Sequence, residues 1–365
     1  MPEHVEANAI RTTLGMTQRR YAISVALPLF LLAPLAARQD KTDEFITAQL
    51  REQNIPGLAM AIVKNGKVIK AEGYGHADLE RKIPIAPVTV LKIASVSKQF
   101  IATGIMLLVQ DLKLSVSDPV SKHITDAPAA WKGITIRHLL THTAGLVREA
   151  PGVDISRFQP DIDIIRNAYD APLHFAAGEK YQYSNVGYFI LGEIIRRISG
   201  RPWADYIDEK VFKPAGMTST FPTNTAVKIA NRAIGYVDND NPRRAPEWTA
   251  LRPSGAFLST VLDMAKWDAM LDTDTILTEA TRREMWTPVR LNDGTTSGYG
   301  YGWQLTTNRG RRQVYHGGGG PGARASFTRS PEDRLSIIVL INMDDVDVDT
   351  IVQGLAALYL PKALP

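Results

Sequence analysis

Residues 94–99 read ASVSKQ, in which Ser95 is followed three positions later by Lys98, just ahead of the apolar run FIATGIMLLVQ. The run predicts a buried helix, so we place Ser95 at its start and Lys98 one turn along. Residues three apart share a helix face, and a hydroxyl beside an amine is the arrangement of an activated nucleophile. Both residue types are common, however, and a chain of this length contains about one such pair by chance. The meaning of the pair therefore depends on the rest of the chain.

The composition is that of a globular protein. The chain has 365 residues, 44% of them hydrophobic and 22% charged, which allows two domains or one large domain with an insertion. The net charge is +4, but the charges are interleaved along the chain, so we expect no nucleic-acid partner. The chain contains no cysteine, which excludes disulfides, thiolate metal sites and a cysteine nucleophile.

The N-terminal segment predicts export. A basic start is followed by an apolar run from Tyr21 to about Ala36 and by small residues ahead of the polar Arg38, the pattern of a signal peptide. The run is short for a membrane-spanning helix. We therefore expect residues 1–37 to be an export signal and the protein to be periplasmic or secreted. An uncleaved N-terminal anchor is the alternative, and it would be the only membrane contact.

Strand patterns occur near both ends of the chain. Two apolar runs flank Asn65-Gly66, a strong hairpin signal. Beyond residue 298 the hydrophobic period becomes that of strands, in YGYGWQLT, RRQVYHG, ARASFTRS and LSIIVLIN, separated by turn residues. A last helix is predicted from about Thr350 to Tyr359. Strands at both ends with helices between them predict a mixed α/β (α+β) fold whose antiparallel sheet is assembled from both chain ends.

The predicted domain comprises residues 38–365. Within it we assign residues 42–95 and 286–360 to the sheet part and residues 96–285 to an inserted, mainly helical part. The active site is expected where these two parts meet.

Three further segments increase the weight of the Ser95 and Lys98 pair. KYQYSNVGY carries Tyr183 and Asn185 at the start of an amphipathic helix that ends at Gly200. YHGGGGPG places His316 and four glycines at the end of a predicted strand. IRHLLTHTAGL lies in the chain between ASVSKQ and KYQYSNVGY. In this order, these segments resemble the serine β-lactamase and penicillin-binding protein superfamily. The resemblance covers about residues 42–360 and is greatest to the branch of class C β-lactamases, family VIII esterases, D-aminopeptidases and related serine hydrolases.

The resemblance implies a catalytic role for three residues. Ser95 matches the nucleophile, which attacks a carbonyl carbon and forms an acyl-enzyme. Lys98 and Tyr183 match the residues that take the serine proton and later return it to the leaving group. Which of these two holds the proton stays open, since they are expected to titrate as a coupled pair. No cofactor and no metal are implied.

The resemblance also implies substrate-binding residues, which are Asn185, His316, Gly318 and Gly319. Asn185 is expected to hydrogen-bond Lys98 and the substrate, and the backbone N–H groups of Ser95 and Gly319 are expected to bind the oxyanion. The third motif departs from the Lys-Thr-Gly of classical β-lactamases, because His316-Gly317-Gly318 stands there. In the classical motif the lysine and the threonine bind a carboxylate of the substrate. Here a histidine, which is largely neutral at pH 7, replaces the permanently charged lysine, and a glycine replaces the threonine hydroxyl.

Metal-binding interpretations of two segments are weak. His138 and His142 have the i, i+4 spacing of zinc ligands, but the glutamate of the H-E-x-x-H motif is missing. The run DDVDVDT lacks the glycine and the glutamate of a calcium-binding EF-hand loop. We expect those acids to precede the final helix, where negative charge is favourable.

The sequence thus predicts a serine hydrolase that cleaves an ester or amide of a small-molecule or peptide substrate through a Ser95 acyl-enzyme. A true β-lactamase or D,D-peptidase acting on β-lactams or cell-wall peptides is one alternative. A non-catalytic binding protein on the same fold is the other.

Overall fold

A computed structural model describes residues 40–360 except 155, 226, 248–251, 256 and 309. The predicted export segment, residues 1–37, lies outside the described residues and stays a prediction. Within the described part of the chain, none of the helices combines the length and the apolar composition that a membrane-spanning segment needs.

The strands and helices are given in chain order. The strands are β1 (Gly57–Lys64), β2 (Lys67–Asp78), β3 (Ile83–Pro84), β4 (Leu91–Lys92), β5 (Phe221–Pro222), β6 (Tyr236–Val237), β7 (Arg243–Arg244), β8 (Phe257–Ser259), β9 (Gln304–Asn308), β10 (Arg311–Gly320), β11 (Ala323–Ser330) and β12 (Leu335–Ile341). The helices are α1 (Lys41–Glu52), α2 (Lys98–Gln110), α3 (Ile136–Leu140), α4 (Asp161–Asn167), α5 (Asn185–Ser199), α6 (Trp203–Ile207), α7 (Lys213–Ala215), α8 (Val261–Met270), α9 (Glu279–Met285) and α10 (Val348–Tyr359).

The main sheet joins both ends of the domain. Its seven strands run in the order β3-β2-β1-β12-β11-β10-β9, and β1 pairs antiparallel with β12 from Leu58↔Ile341 to Lys64↔Leu335. Strands β1 and β2 form the hairpin expected around Asn65-Gly66. The predicted antiparallel sheet from both chain ends, with flanking helices, is confirmed.

The central strands are buried on both faces. In β1, Ala59 and Ala61 belong to the core shared with the helical part, whereas Leu58 and Met60 pack in a second core with α1 and α10. Because successive side chains of a strand point to opposite faces, two apolar layers require the continuous apolar runs that β1 and β12 show. The central strands are therefore covered on both faces. The candidate site forms at the end of β10, where Gly317, Gly318 and Gly319 lie next to Ser95.

Helix α5, which packs on α2, and the small sheet β4-β8-β5 lie next to the segment that carries the nucleophile. Helix α5 has the predicted caps: the Ser184 side chain accepts a hydrogen bond from Gly187 N at 3.2 Å, and Gly200 adopts the left-handed conformation with φ 72°. The small sheet β4-β8-β5 continues into the nucleophile segment, since Ile93 N donates to Phe257 O at 3.1 Å. These contacts anchor the segment that leads to Ser95.

One predicted strand is shorter than expected. The pattern of YGYGWQLT predicts a strand from residue 299, but β9 begins only at Gln304. The backbone turns instead, because Gly300 N donates to Trp303 O at 2.8 Å and Gly302 adopts φ 75°. The alternating tyrosines and glycines of residues 299–302 therefore look like a strand in the sequence, although the chain forms a tight turn there.

Candidate active site

Ser95 lies in a 3₁₀ turn, Ala94–Ser97, and α2 begins only at Lys98. The helix therefore starts one short turn later than the sequence predicts. Side chains at i and i+3 are eclipsed in a 3₁₀ turn, so the pair stays together, with Lys98 Nζ 3.3 Å from Ser95 Oγ. Ala94 has φ 43°, a left-handed conformation that costs about 1–2 kcal/mol for a residue with a Cβ. Such strain is concentrated at functional sites.

Lys98 is completely buried, with 0% exposure. Its Nζ donates to Asn185 Oδ1 at 2.8 Å and to the Ser254 carbonyl oxygen at 2.6 Å. A neutral amine has two N–H bonds and one lone pair. When these two acceptors use both N–H bonds of the neutral amine, the lone pair is free at the 3.3 Å contact with Ser95 Oγ, whereas the ammonium form would donate a third hydrogen bond there. The geometry fits a neutral lysine that can accept the serine proton.

The electrostatics of Lys98 favour the same state. Burial lowers its pKa well below the usual value, the charge of Glu149 opposes this shift, and the charges of Arg252 and Arg148 add to it. Desolvation dominates because it disfavours the ammonium form directly. Lys98 can therefore act as a base closer to neutral pH than an exposed lysine.

Tyr183 is a second neighbour of Ser95. Burial raises the pKa of its phenol, and a hydrogen bond with Ser95 acts in the opposite direction. The phenol therefore stays protonated near neutral pH and can donate to Ser95 Oγ. Lys98 Nζ contacts the ring face of Tyr183, at 4.7 Å from the centroid, and the His142 ring packs on Tyr183 with centroids 4.3 Å apart. The structure thus brings Ser95, Lys98 and Tyr183 together.

A charged pair that the sequence analysis missed fixes the orientation of Asn185. While Asn185 Oδ1 faces Lys98, its Nδ2 donates to Glu149 Oε1. The other Glu149 oxygen accepts from Arg252 Nη2 at 2.6 Å. The amide of Asn185 is held in one orientation because its nitrogen has an anionic acceptor. Glu149 follows shortly after the HTAGL run, but no local pattern indicates that it pairs with Arg252, 103 residues away.

His316 is buried and engaged at both nitrogens. Tyr299 Oη lies 2.8 Å from Nε2, and the Gly317 carbonyl oxygen lies 2.6 Å from Nδ1. Since a carbonyl can only accept, Nδ1 carries the proton and Nε2 accepts from the phenol. Burial, followed by the charge of Lys98, lowers the pKa of His316 to about 3. In this geometry both ring nitrogens of neutral His316 have partners within the protein, and the residue also lines the cavity that contains Ser95, so its contact with the substrate stays a prediction.

The glycines of β10 allow the strand to approach the nucleophile. Strand β9 covers only residues 311–315 of β10, and the following residues contact the turn Ala94–Ser97. A Cβ built at Gly318 would collide with the Ile93 carbonyl oxygen. Glycine is therefore required where the strand passes the nucleophile segment.

Ser95 opens into two adjoining cavities. One of about 490 Å³ is lined by Ser95, Tyr183, His316, Gly319 and other residues. The second, of about 190 Å³, is lined by Ser95, Asn185 and Gly319 together with Glu149 and Arg252. Every predicted site residue except Lys98 thus lines one of the two cavities. Lys98 is completely buried and lines neither.

The two histidines with zinc-ligand spacing have separate partners. His138 Nδ1 accepts from Thr135 N at 3.1 Å, and His142 Nδ1 accepts from Ser184 N at 3.1 Å. In the part of the chain that the structure describes, no group of three or more His, Asp or Glu side chains is placed to hold a metal ion.

Similarity to known proteins agrees with the resemblance noted from the motifs. The sequence profile of the family described as Beta-lactamase matches residues 42–358. Penicillin-binding protein 4* of Bacillus subtilis (strain 168) is 32% identical over 311 residues, which cover 77% of this chain and 68% of that protein. Protein flp of Staphylococcus aureus (strain COL) is 29% identical over 330 residues, covering 87% of this chain and 66% of that protein. The chain spans about two thirds of the length of these relatives.

Solved structures share the fold. The octameric penicillin-binding protein homologue from Pyrococcus abyssi superposes with a TM-score of 0.78 at 28% identity, covering 88% of this chain and 78% of that one. D-amino acid amidase from Ochrobactrum anthropi SV3 has a TM-score of 0.77 at 23% identity, with coverages of 87% and 98%. EstCE1, a hydrolase with promiscuous acyltransferase activity, has a TM-score of 0.74 at 23% identity, with coverages of 87% and 97%.

Proposed function

The chain belongs to the Beta-lactamase family, and from this premise we propose that it is a serine hydrolase that cleaves an ester or an amide through an acyl-enzyme on Ser95. The observation that carries the proposal is the environment of Lys98: a completely buried amine that donates to Asn185 and Ser254 and lies 3.3 Å from Ser95 Oγ.

The proposed reaction has an acylation half and a deacylation half. Lys98 accepts the hydroxyl proton while Ser95 Oγ bonds to the carbonyl carbon, and the oxyanion is bound by the N–H groups of Ser95 and Gly319. Donors of this kind lower a barrier by about 3 kcal/mol each. Tyr183 protonates the leaving alcohol or amine and regains a proton from Lys98. Water then attacks the acyl carbon, its proton passes to the same base, and Ser95 is released protonated.

An ester or amide substrate is favoured over a β-lactam by the third motif. Neutral His316 stands where classical β-lactamases carry a lysine, and its nitrogens are occupied by Tyr299 and Gly317. The D-amino acid amidase of similar fold supports an amide substrate. The similarity to a penicillin-binding protein favours the second candidate, a D,D-peptidase or β-lactamase.

A substrate panel separates these candidates. We expect turnover of short 4-nitrophenyl esters or D-amino acid amides, and no turnover of a chromogenic cephalosporin above a Ser95→Ala blank. A fluorophosphonate probe should add one adduct, located on Ser95 by peptide mass spectrometry. Faster turnover of the cephalosporin than of any ester or amide would favour the β-lactamase. Absence of turnover and of any adduct would favour the non-catalytic binding protein.

The charged pair beside Asn185 makes a prediction about pH dependence. kcat/KM should rise with pH as Lys98 of the free enzyme loses its proton. Glu149→Gln removes a negative charge that raises the pKa of Lys98, so the acidic limb of the profile should move to lower pH. The glutamine oxygen can still accept from Asn185, but its NH2 cannot accept from Arg252, so this variant also removes the hydrogen bond of the ion pair.

The opposite variant is the matched control for this prediction. Arg252→Gln removes a positive charge that lowers the pKa of Lys98, so its acidic limb should move to higher pH. The measurement is kcat/KM for a neutral ester against pH for the two variants and the wild type. Shifts in the same direction would contradict the assignment of this limb to Lys98.

A further inference from the structure

One residue, His142, holds the backbone on both sides of Tyr183. Its carbonyl oxygen accepts a hydrogen bond from Gln182 N at 2.9 Å, and its ring nitrogen Nδ1 accepts from Ser184 N at 3.1 Å. The His142 ring also packs on the Tyr183 ring, with centroids 4.3 Å apart and planes inclined by 34°. Three contacts from a single residue thus surround the tyrosine that is proposed to protonate the leaving group.

His142 is itself fixed to the rest of the fold. It is only 1% exposed and follows closely on α3. The next residue, Thr143, donates from its N–H to the His138 carbonyl at 2.9 Å and accepts at its own carbonyl from Gly178 N at 2.8 Å. These bonds tie the segment of His142 both to α3 and to the loop that leads to Tyr183. A shift of the tyrosine therefore requires a shift of well-anchored backbone.

His142 is retained at a cost to stability. Its backbone adopts φ 59°, a left-handed conformation that is unfavourable for a residue with a Cβ. Because Nδ1 accepts from an N–H, the proton of the neutral imidazole is on Nε2. This Nε2 is buried and has no hydrogen-bond partner among the described residues, which is also unfavourable. Backbone strain and an unpaired buried donor are concentrated at functional sites, so both costs favour a role in the reaction.

The neutral form of the ring suits these contacts. Burial lowers the pKa of His142 well below its usual value, and the charges of Lys98 and His316 act in the same direction. An imidazolium would carry a proton on Nδ1 and would lose the bond from Ser184 N. The neutral ring keeps that acceptor at the pH where Lys98 is able to act as a base.

We propose that His142 is a positioning residue that holds the Tyr183 phenol within hydrogen-bond reach of the leaving group. It acts through the backbone of residues 182–184, since His142 lines neither cavity next to Ser95. As the bond from the acyl carbon to the leaving oxygen or nitrogen breaks, the phenol proton moves to that atom, and the phenolate regains the proton that Lys98 took from Ser95. The proposal rests on the proposed function, because it concerns the proton donor of the acylation half.

Two esters that differ only in the leaving group test the proposal. 4-Nitrophenolate is a weak base that leaves without prior protonation, whereas phenolate is a stronger base, so phenyl butyrate depends more on the Tyr183 phenol than 4-nitrophenyl butyrate does. His142→Phe keeps a ring but removes the acceptor of Ser184 N. We expect it to lower the ratio of kcat/KM for the phenyl ester to that for the 4-nitrophenyl ester by about 10-fold, since small displacements of a catalytic group are costly. Both rates come from one preparation, so a smaller folded fraction cancels in the ratio.

Three further variants make the test specific. His142→Asn should restore the ratio to near the wild-type value, because asparagine tolerates positive φ and its Oδ1 can accept from Ser184 N. His142→Ala lacks the acceptor and should lower the ratio as His142→Phe does, which covers the case in which phenylalanine does not fit the buried site. His138→Asn is the matched control: His138 Nδ1 also accepts from a backbone N–H, that of Thr135 at 3.1 Å, but it is not bonded to residues 182–184. This variant should leave the ratio unchanged.

A double-mutant cycle identifies the group that His142 positions. Tyr183→Phe removes the phenol and should by itself lower the ratio. In that background His142→Ala should cause no further fall of the ratio, because no proton donor is left to position.

The results separate this proposal from the one it rests on. If the His142 variants lower kcat/KM for both esters by the same factor, or lower the ratio equally with and without the Tyr183 phenol, His142 is structural and only the hydrolase stands. A His142→Asn ratio as low as that of His142→Ala would also contradict the proposal, since the hydrogen bond to Ser184 would not be its means. If no ester is hydrolysed and the fluorophosphonate probe leaves Ser95 unmodified, the proposed function fails and this proposal fails with it.

Discussion

Replacement of Ser95 by alanine is expected to lower kcat/KM for the best ester or amide by about 10⁴- to 10⁶-fold, the loss seen when a catalytic nucleophile is removed. The fluorophosphonate adduct should disappear as well. Ser95 is only half-buried and its hydroxyl contacts Lys98 and Tyr183, so the melting temperature should stay within about 3 °C of the wild type. Steady-state kinetics, intact-protein mass spectrometry and a thermal melt measure these three quantities.

Ser97→Ala is the matched control for this variant. Ser97 lies in the same 3₁₀ turn, but its Oγ accepts a hydrogen bond from Phe257 N at 3.1 Å and is fully buried. Its loss should cost about 1–3 kcal/mol of stability because a buried N–H loses its acceptor, while the adduct still forms on Ser95. An adduct that persists in Ser95→Ala would contradict the assignment of the nucleophile.

Replacement of Lys98 by methionine is expected to lower the rate of Ser95 acylation by about 10²- to 10⁴-fold, the usual contribution of a general base. Methionine is similar in size and fills the buried site. The change leaves Asn185 Oδ1 and the Ser254 carbonyl without a donor, but it also removes the cost of burying an amine. These effects oppose each other, so we expect the melting temperature to change by only a few degrees.

Lys92→Met is the control for the loss of a buried lysine. Lys92 lies six residues earlier in β4 and is only 8% exposed, but it does not line either cavity next to Ser95. Its replacement should leave the acylation rate close to that of the wild type. The rates are compared by single-turnover kinetics with one ester. Retained acylation in Lys98→Met, together with a large loss of stability, would reassign Lys98 to a structural role.

The elements predicted correctly are those whose signals lie close together in the chain. The β1–β2 hairpin depends on Asn65-Gly66, and α5 depends on Ser184 at its start and Gly200 at its end. Helix α10 likewise begins after an acid, since Asp347 accepts from Thr350 N at 3.0 Å. Each signal acts within a few residues and needs no knowledge of the rest of the fold. The strand predicted from residue 299 begins only at Gln304, because the preceding turn depends on a hydrogen bond between Gly300 and Trp303, which the alternating pattern does not reveal.

The candidate site divides in the same way. The motifs identify Ser95, Lys98, Tyr183 and Asn185, and the structure brings them together. The motifs leave open which of Lys98 and Tyr183 is the base. Burial raises the pKa of Tyr183 and lowers that of Lys98, so both groups are driven towards their neutral forms, and a neutral amine is a stronger base than a neutral phenol.

The amino-acid sequence by itself determined the family, the antiparallel sheet and the identities of the groups expected to react, since these depend on residue types and short spacings. The tertiary structure alone decided the charge on those groups and which charged side chains lie beside them. Lys98 meets the Ser254 carbonyl across 156 residues, and Glu149 meets Arg252 across 103. Protonation states depend on desolvation and on charges a few ångströms away, and chain folding brings those neighbours together from distant parts of the sequence.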